Sequence, residues 1–190
     1  MQHLKIGYAM CGSFCTINNS LEQLKKLVDN GHELTVIPSP IVQTTDTRFT
    51  KASSLMDELK IITKQNLIVG IETAEPIGPK KMFDVLVICP CTSNTLAKLA
   101  NGIVDNNVTM AVKSHVRNNR PVILALATND ALGASARNIG TLLNTRNLFF
   151  VPFTQDDPIN KERSMISDFN LLEETIKCAI NGKQIQPIIP

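Results

Sequence analysis

Apolar residues along this chain follow two alternating patterns. Short apolar runs fall at residues 4–10, 33–37, 83–89, 122–127 and 148–151. Between them, apolar positions recur at helical spacing. Ile17, Leu21, Leu24 and Val28 stand at i, i+4, i+7 and i+11, one face of a helix. Asn30-Gly31 supplies its stop. The same period predicts helices over 51–63 (Leu55, Leu59 and Ile62 on one side), 92–104, 106–117, 131–144 and 171–180. Residues 41–50 and 152–163 are polar and predict loops, and 148–151 is expected to be the last strand. Residues 64–82 show no clear period and end in Glu75-Pro76-Ile77-Gly78-Pro79.

The runs FDVLVIC and VILALA are nearly continuous in apolar residues, as strands buried on both faces are. Strands of this kind alternating with helices predict an α/β fold, a parallel sheet with helices on both faces. The length of 190 residues suits one domain, taken as residues 1–183. The two-proline tail 184–190 is expected to wrap a neighbour or hang free.

In parallel sheets ligands bind beyond the carboxyl ends of the strands. Four loops stand at those ends: Cys11-Gly12-Ser13, Pro38-Ser39-Pro40, Pro90-Cys91-Thr92-Ser93-Asn94-Thr95 and Thr128-Asn129-Asp130. A helix start offers free N–H groups and a positive dipole end to a phosphate or carboxylate. Helix capping by Ser13, Thr16 or Thr92 explains any one of these loops. Three polar helix starts at one sheet edge exceed what capping needs and point to an anion or cofactor pocket of amides and hydroxyls. Neither a Walker loop nor a dinucleotide fingerprint is present.

Composition narrows the classes. Aromatic residues make up 4%, with no Trp and one Tyr, which disfavours a base-stacking platform. Net charge is +2 with no basic arm, so neither nucleic acid nor an anionic membrane has an electrostatic footprint. Residues 4–10 lack the basic and long apolar regions of a secretory leader, and no apolar run is long enough to span a bilayer. Five cysteines in two close pairs plus Cys178 do not form a disulfide framework. A metal site would need Cys11, Cys15, Cys89 and Cys91 to converge in unusual spacing, so no metal is expected and reduced thiols in a cytoplasmic protein are the simpler reading. His3, His32 and His115 sit in polar settings and are expected at the surface.

The string CPCTSNTLAKLANGIVDN at 89–106 resembles the Pro-x-Ser-Ala-Asn-Thr segment of the flavoprotein family that includes phosphopantothenoylcysteine decarboxylase and the lantibiotic cysteine decarboxylases. The opening strand, Gly12-Ser13 and helix are similar to that family's flavin-phosphate loop. Further segments are similar to the family branch that holds the B subunits of dipicolinate synthase: Asp46-Thr47-Arg48-Phe49, Ala74 to Lys80, Arg117 to Val122, Ala127 to Gly133 and Pro152 to Pro158. The resemblance runs from about Lys5 to Pro187.

It implies a three-layer α/β/α sandwich with a flavodoxin-like parallel sheet. It also implies oxidation of dihydrodipicolinate to dipicolinate (pyridine-2,6-dicarboxylate) during sporulation, in the mother-cell cytoplasm of a spore-forming bacterium. FMN is the implied cofactor. Carried over by motif, Gly12, Ser13 and Cys15 would meet the FMN phosphate or ribityl chain, with Ser39 at the second strand end. Thr92, Asn94 and Thr95 would come from the helix-start segment, where Ser93 replaces the family's Ala. Thr128 and Asn129 would lie near the flavin ring and substrate. The resemblance further implies a homo-oligomer, trimer or larger, with the A subunit of the synthase as partner. Any NAD(P) is expected on that partner.

The departures point away from cysteine decarboxylation. The family's catalytic His, eight residues before the Asp that opens the third strand, corresponds to Pro76. Its Pro-x-Met-Asn-x-x-Met signature reads Leu126 to Leu132 here and keeps only Asn129. A reactive-cysteine flap has no counterpart, and Cys178 reads as packing. Oxidising a dihydropyridine dicarboxylate needs a hydride acceptor, a base and cationic anchors. Arg48 is the first expected anchor and Lys80 the second; Arg117 and Arg120 precede a strand and should lie at the opposite edge. Asp130, Asp156 and Asp157 are candidate bases. Three readings stay open. The chain is an enzyme component that binds FMN, a non-catalytic partner of a nicotinamide-dependent chain, or a flavoprotein decarboxylase.

Overall fold

The computed structural model describes residues 3–190. Five strands run parallel: β1 (Lys5–Met10), β2 (Glu33–Pro38), β3 (Val85–Cys91), β4 (Val122–Thr128) and β5 (Leu148–Phe150), in spatial order β2-β1-β3-β4-β5. This is the predicted flavodoxin-like sheet. β1, β3 and β4 are buried along almost their whole length. Their side chains alternate between two cores. Ile6, Tyr8 and Met10, with Val85, Val87, Ile123 and Ala125, face one helical layer. Ala9, Leu86, Ile88, Leu124 and Leu126 face the other.

The first layer holds α1 (Ile17–Asp29), α3 (Ala52–Thr63) and α8 (Leu172–Ile180), which bury Leu21, Leu24, Leu55, Leu59 and Ile176. The second holds α5 (Ser93–Ala100), α6 (Asn107–Val116) and α7 (Ala136–Leu143), which bury Leu96, Val108, Val112, Ile139 and Leu142. The apolar period of the sequence is thus the packing stripe of each helix. Together the layers make a three-layer α/β/α sandwich.

Several local expectations are corrected. The predicted loop at 41–50 opens with a short helix, α2 (Pro40–Thr44), because Pro40 at its first position is pre-set for a helix start. The unassigned stretch at 64–82 contains α4 (Ile71–Ala74) and a 3₁₀ turn at Glu75–Ile77. The helix expected from residue 131 begins only at Ala136. Before it, Asp130 Oδ1 accepts from the Thr128 hydroxyl at 2.7 Å and the Ser135 hydroxyl at 2.9 Å, which holds the segment in turns. The strand ending at Phe150 is not the last. β6 (Phe153–Thr154) and β7 (Met165–Ser167) form an antiparallel pair, and β7 also pairs antiparallel with the end of β4. Segments of two and three residues are too short for a period to reveal.

The tail lies against this chain's own sheet edge. The Gln184 amide donates to the Phe150 carbonyl at 2.7 Å and its oxygen accepts from the Phe150 N–H at 2.8 Å. Ile188 O accepts from Phe153 N at 3.1 Å. A side-chain amide here satisfies groups that an open edge strand would offer to another chain.

His32 and His115 are buried, not at the surface. His32 Nδ1 accepts from Leu4 N at 3.4 Å, and burial lowers its pKa. His115 lies 3.1 Å from the Pro121 carbonyl through Nε2, and burial lowers its pKa to about 4. The unfolded chain accepts a proton on this residue below about pH 6.5, whereas the folded protein declines it until about pH 4. Folded stability therefore falls as pH drops through that window, by up to about 3 kcal/mol from this group. His115→Gln, which cannot titrate, should lower the melting temperature at pH 7. Its deficit against the parent should narrow between pH 7 and pH 5 in paired thermal melts; a constant deficit would contradict this account.

Candidate functional site

A cleft of about 580 Å³ opens along the carboxyl edge of the sheet. Its size is within the roughly 300–1,000 Å³ of small-molecule sites. Three segments build one wall: Gly12 to Thr16 after β1, Thr92 to Asn94 at the start of α5, and Ala127 to Asp130 at the end of β4. The β6–β7 hairpin contributes the facing wall through Asp156, Lys161 and Ser164, with Met165 and Ile166 from β7. Ile41 of α2 adds an apolar rim.

The β1 and α5 loops are joined side by side. Cys11 N donates to Pro90 O at 3.2 Å, and Cys11 Sγ lies 3.2 Å from Thr95 Oγ1. Thr92 caps α5 by accepting from Thr95 N at 3.4 Å. Ser13 N is turned back onto Cys11 O at 2.9 Å, and Thr16 N donates to Ser13 O at 3.0 Å. Among the described residues, the amides of Phe14 and Cys15 have no protein acceptor. Two free N–H groups, the start of a 13-residue helix and the hydroxyls of Ser13, Thr92 and Ser93 make an anion-accepting end. Gly12 is needed close by: a Cβ there would meet Ile41 Cγ2 at 2.7 Å. These groups fit the phosphate of FMN.

Below the cleft the sheet excludes ionised groups. Burial pushes the Cys11 thiol up to about 11 and Cys89 to about 12, and it raises Cys91 well above an ordinary thiol. These three are packed, neutral and free. The Tyr8 hydroxyl lies 2.9 Å from Ser20 Oγ, which donates to the Cys89 carbonyl at 2.6 Å, so a buried polar chain links β1, α1 and β3. Cys15 alone of the four paired cysteines is exposed, and it lines the cleft. No group of three or more metal-ligating side chains occurs among the described residues.

Of the residues singled out in the sequence, Gly12, Ser13, Cys15, Thr92, Asn94, Thr128 and Asn129 meet in this cleft. Thr95 supports it from beneath, buried against Cys11 and Thr92. Ser39 is buried at the end of β2 without lining the cleft, and its hydroxyl has no partner. Arg48 does not line the cleft either; it is exposed, with its guanidinium 4.8 Å from the Phe49 ring centre. Lys80 lies beside Lys5 and Glu33 at the opposite edge of the sheet. Arg120 is at that edge too, bonded to the Phe83 carbonyl and 3.7 Å from Asp84.

The hairpin residues Lys161 and Ser164 escaped the sequence reading, because they sit in a polar stretch with no period. Ser164 Oγ lies 3.2 Å from Thr128 O and 3.3 Å from Asn129 Oδ1, which ties the hairpin to the β4 end. Partial burial works against ionisation of Asp156, but hydrogen bonds from Ser164, its own backbone and Lys161 hold its carboxyl below the usual range.

The model of the family described as Flavoprotein matches residues 1–177. The chain belongs to the Flavoprotein family. The dipicolinate synthase B subunit of Bacillus subtilis (strain 168) is 42% identical over 97% of this chain and 92% of its own length. The crystal structure of the dipicolinate synthase B subunit from Bacillus halodurans superposes with a TM-score of 0.90 at 39% identity, covering 98% of this chain and 96% of that one. An FMN-dependent cysteine decarboxylase from thioviridamide biosynthesis matches at a TM-score of 0.57 and 25% identity, over 75% of this chain and 86% of its own. The cleft of this Flavoprotein member therefore lies on a scaffold common to B subunits and decarboxylases.

The burial pattern predicts thiol reactivity. Iodoacetamide at pH 8 should label Cys15 in the folded protein and spare Cys11, Cys89 and Cys91; peptide mass spectrometry reads the sites. Early labelling of Cys89 would contradict the packed core described here.

Proposed function

We propose that this chain is the B subunit of a dipicolinate synthase and takes part in oxidising dihydrodipicolinate to dipicolinate with FMN bound in the cleft. Similarity to B subunits over nearly the full length carries the reading. The cleft supports it chemically. Bound FMN would supply a two-electron acceptor. The free amides of Phe14 and Cys15, with the Ser13 and Thr92 hydroxyls, would hold its phosphate and orient it by fixed dipoles. Thr128 and Asn129, at the end of β4, would position the substrate ring. The hairpin would shield the reacting face from water.

Loss of hydride from the ring leaves a proton to be removed. Asp130 and Asp156 both line the cleft and both are engaged, Asp130 by two hydroxyls and Asp156 by Lys161. Asp156, on the hairpin wall that faces Thr128 and Asn129, is the candidate proton acceptor. The decarboxylase alternative has weaker support, since Pro76 lies in a 3₁₀ turn and does not line the cleft. An A subunit carrying NAD(P) as partner, assembly into a homo-oligomer, and a role in the mother-cell cytoplasm during sporulation complete the proposal.

The purified full chain should take up FMN tightly and show a bound-flavin absorption spectrum. Dihydrodipicolinate should be oxidised when the partner is added. Thr92→Ala should weaken FMN binding by about tenfold, as expected for loss of a hydrogen bond to a charged group of about 1.5 kcal/mol. A colourless protein that gains no flavin on reconstitution, yet supports full turnover by its partner, would replace this proposal with the non-catalytic reading.

A further inference from the structure

Three charged side chains line the cleft: Asp130, Asp156 and Lys161. Asp130 is held by Thr128 and Ser135 and closes a turn. Lys161 is thus the single cation among the cleft-lining residues. Its Nζ lies 3.4 Å from Asp156 Oδ2, with the lysine side chain 53% exposed and the aspartate 27%.

The backbone that carries Lys161 is well fixed. Lys161 N donates to Asp157 O at 2.8 Å, and Ser164 N donates to Lys161 O at 2.9 Å. Asp157 Oδ1 also accepts from Asn160 N at 3.0 Å. The ammonium therefore swings on a long stem from a stationary base. An ion pair between half-exposed groups contributes little, because water screens it and two long arms must be ordered to make it. A carboxylate arriving in the cleft can take the ammonium at small cost and will repel Asp156. A second depression meets the cleft at Asn129 and Lys161, and Arg163 lines it. That depression therefore adds a second cation, Arg163, and one acid, Glu162, to the surroundings of Asn129 and Lys161.

We propose that Lys161 receives a carboxylate of the dicarboxylate substrate, and that Asp156 holds this lysine in place until the substrate displaces it. The proposal rests on the dicarboxylate reading above and assigns to the hairpin the anchoring role first expected of Arg48. Asp156, named above as the proton acceptor, loses its Lys161 contact once the lysine turns to the substrate.

Calorimetric titration of the full chain, supplied with FMN, with dipicolinate and with picolinate tests this without turnover. The parent protein should bind dipicolinate more tightly than picolinate. Lys161→Met should weaken dipicolinate at least tenfold and shrink its advantage over picolinate, with FMN affinity and melting temperature unchanged. Lys161→Arg should keep most of the binding, and Asp156→Asn should keep or tighten it. If the parent binds dipicolinate and Lys161→Met binds it equally, or if Arg48→Ala alone weakens it, the Lys161 assignment is overturned. If the parent binds no dicarboxylate, the substrate reading fails first and takes this inference with it.

Discussion

β1, β3 and β4 have no face in water. A polar side chain on any of them must find a partner inside the protein or lose several kcal/mol, on the order of a lost buried hydrogen bond. The chain meets that constraint with apolar residues along the strands and one closed exception, the Tyr8–Ser20–Cys89 chain. Polar chemistry is thereby expelled to the strand ends. At the carboxyl end the helix starts bring free amides, so hydroxyls and amides gather where backbone donors already point. The location of the cleft follows from the burial of the sheet.

The cleft has two walls of different origin. One is the edge of the parallel sheet, where Cys11 and Thr95 bind two helix starts together. Its groups are fixed and mostly neutral, suited to holding a cofactor phosphate by oriented dipoles. The other is a hairpin attached to the end of β4 by a few backbone pairs and by Ser164. This wall brings two of the three charges, on long or half-exposed side chains. A rigid dipolar wall and an adaptable charged wall suit a bound cofactor and an exchanging anion respectively.

The sheet edge beyond β4 needs its own solution. β5 is three residues long, and the Gln184 side chain completes its hydrogen bonding through Phe150. The C-terminal segment thus acts as a surrogate strand, sealing an edge next to the hairpin that shapes the cleft.

Where burial follows a period, the sequence alone was informative. The runs at 83–89 and 122–127 predicted strands buried on both faces, and α1 buries the Leu21–Leu24 stripe that spacing predicted. The polar loops at residues 12–13, 92–95 and 128–130 were legible as one site because parallel strands put all their carboxyl ends on one edge. Tertiary structure alone decided matters that depend on separation in space. His115 is polar in sequence context and buried in the fold, because α6 turns it under the Pro121 carbonyl. Arg48 follows a strand end, yet its loop stands away from the cleft and its guanidinium rests on Phe49. Lys161 sits 69 residues beyond Thr92, in a stretch without period, and reaches the cleft because the very short β6 and β7 pair with each other and β7 pairs antiparallel with β4. Local periodicity reports which side of an element is apolar; which charges meet across a cleft depends on long-range pairing that no local pattern encodes.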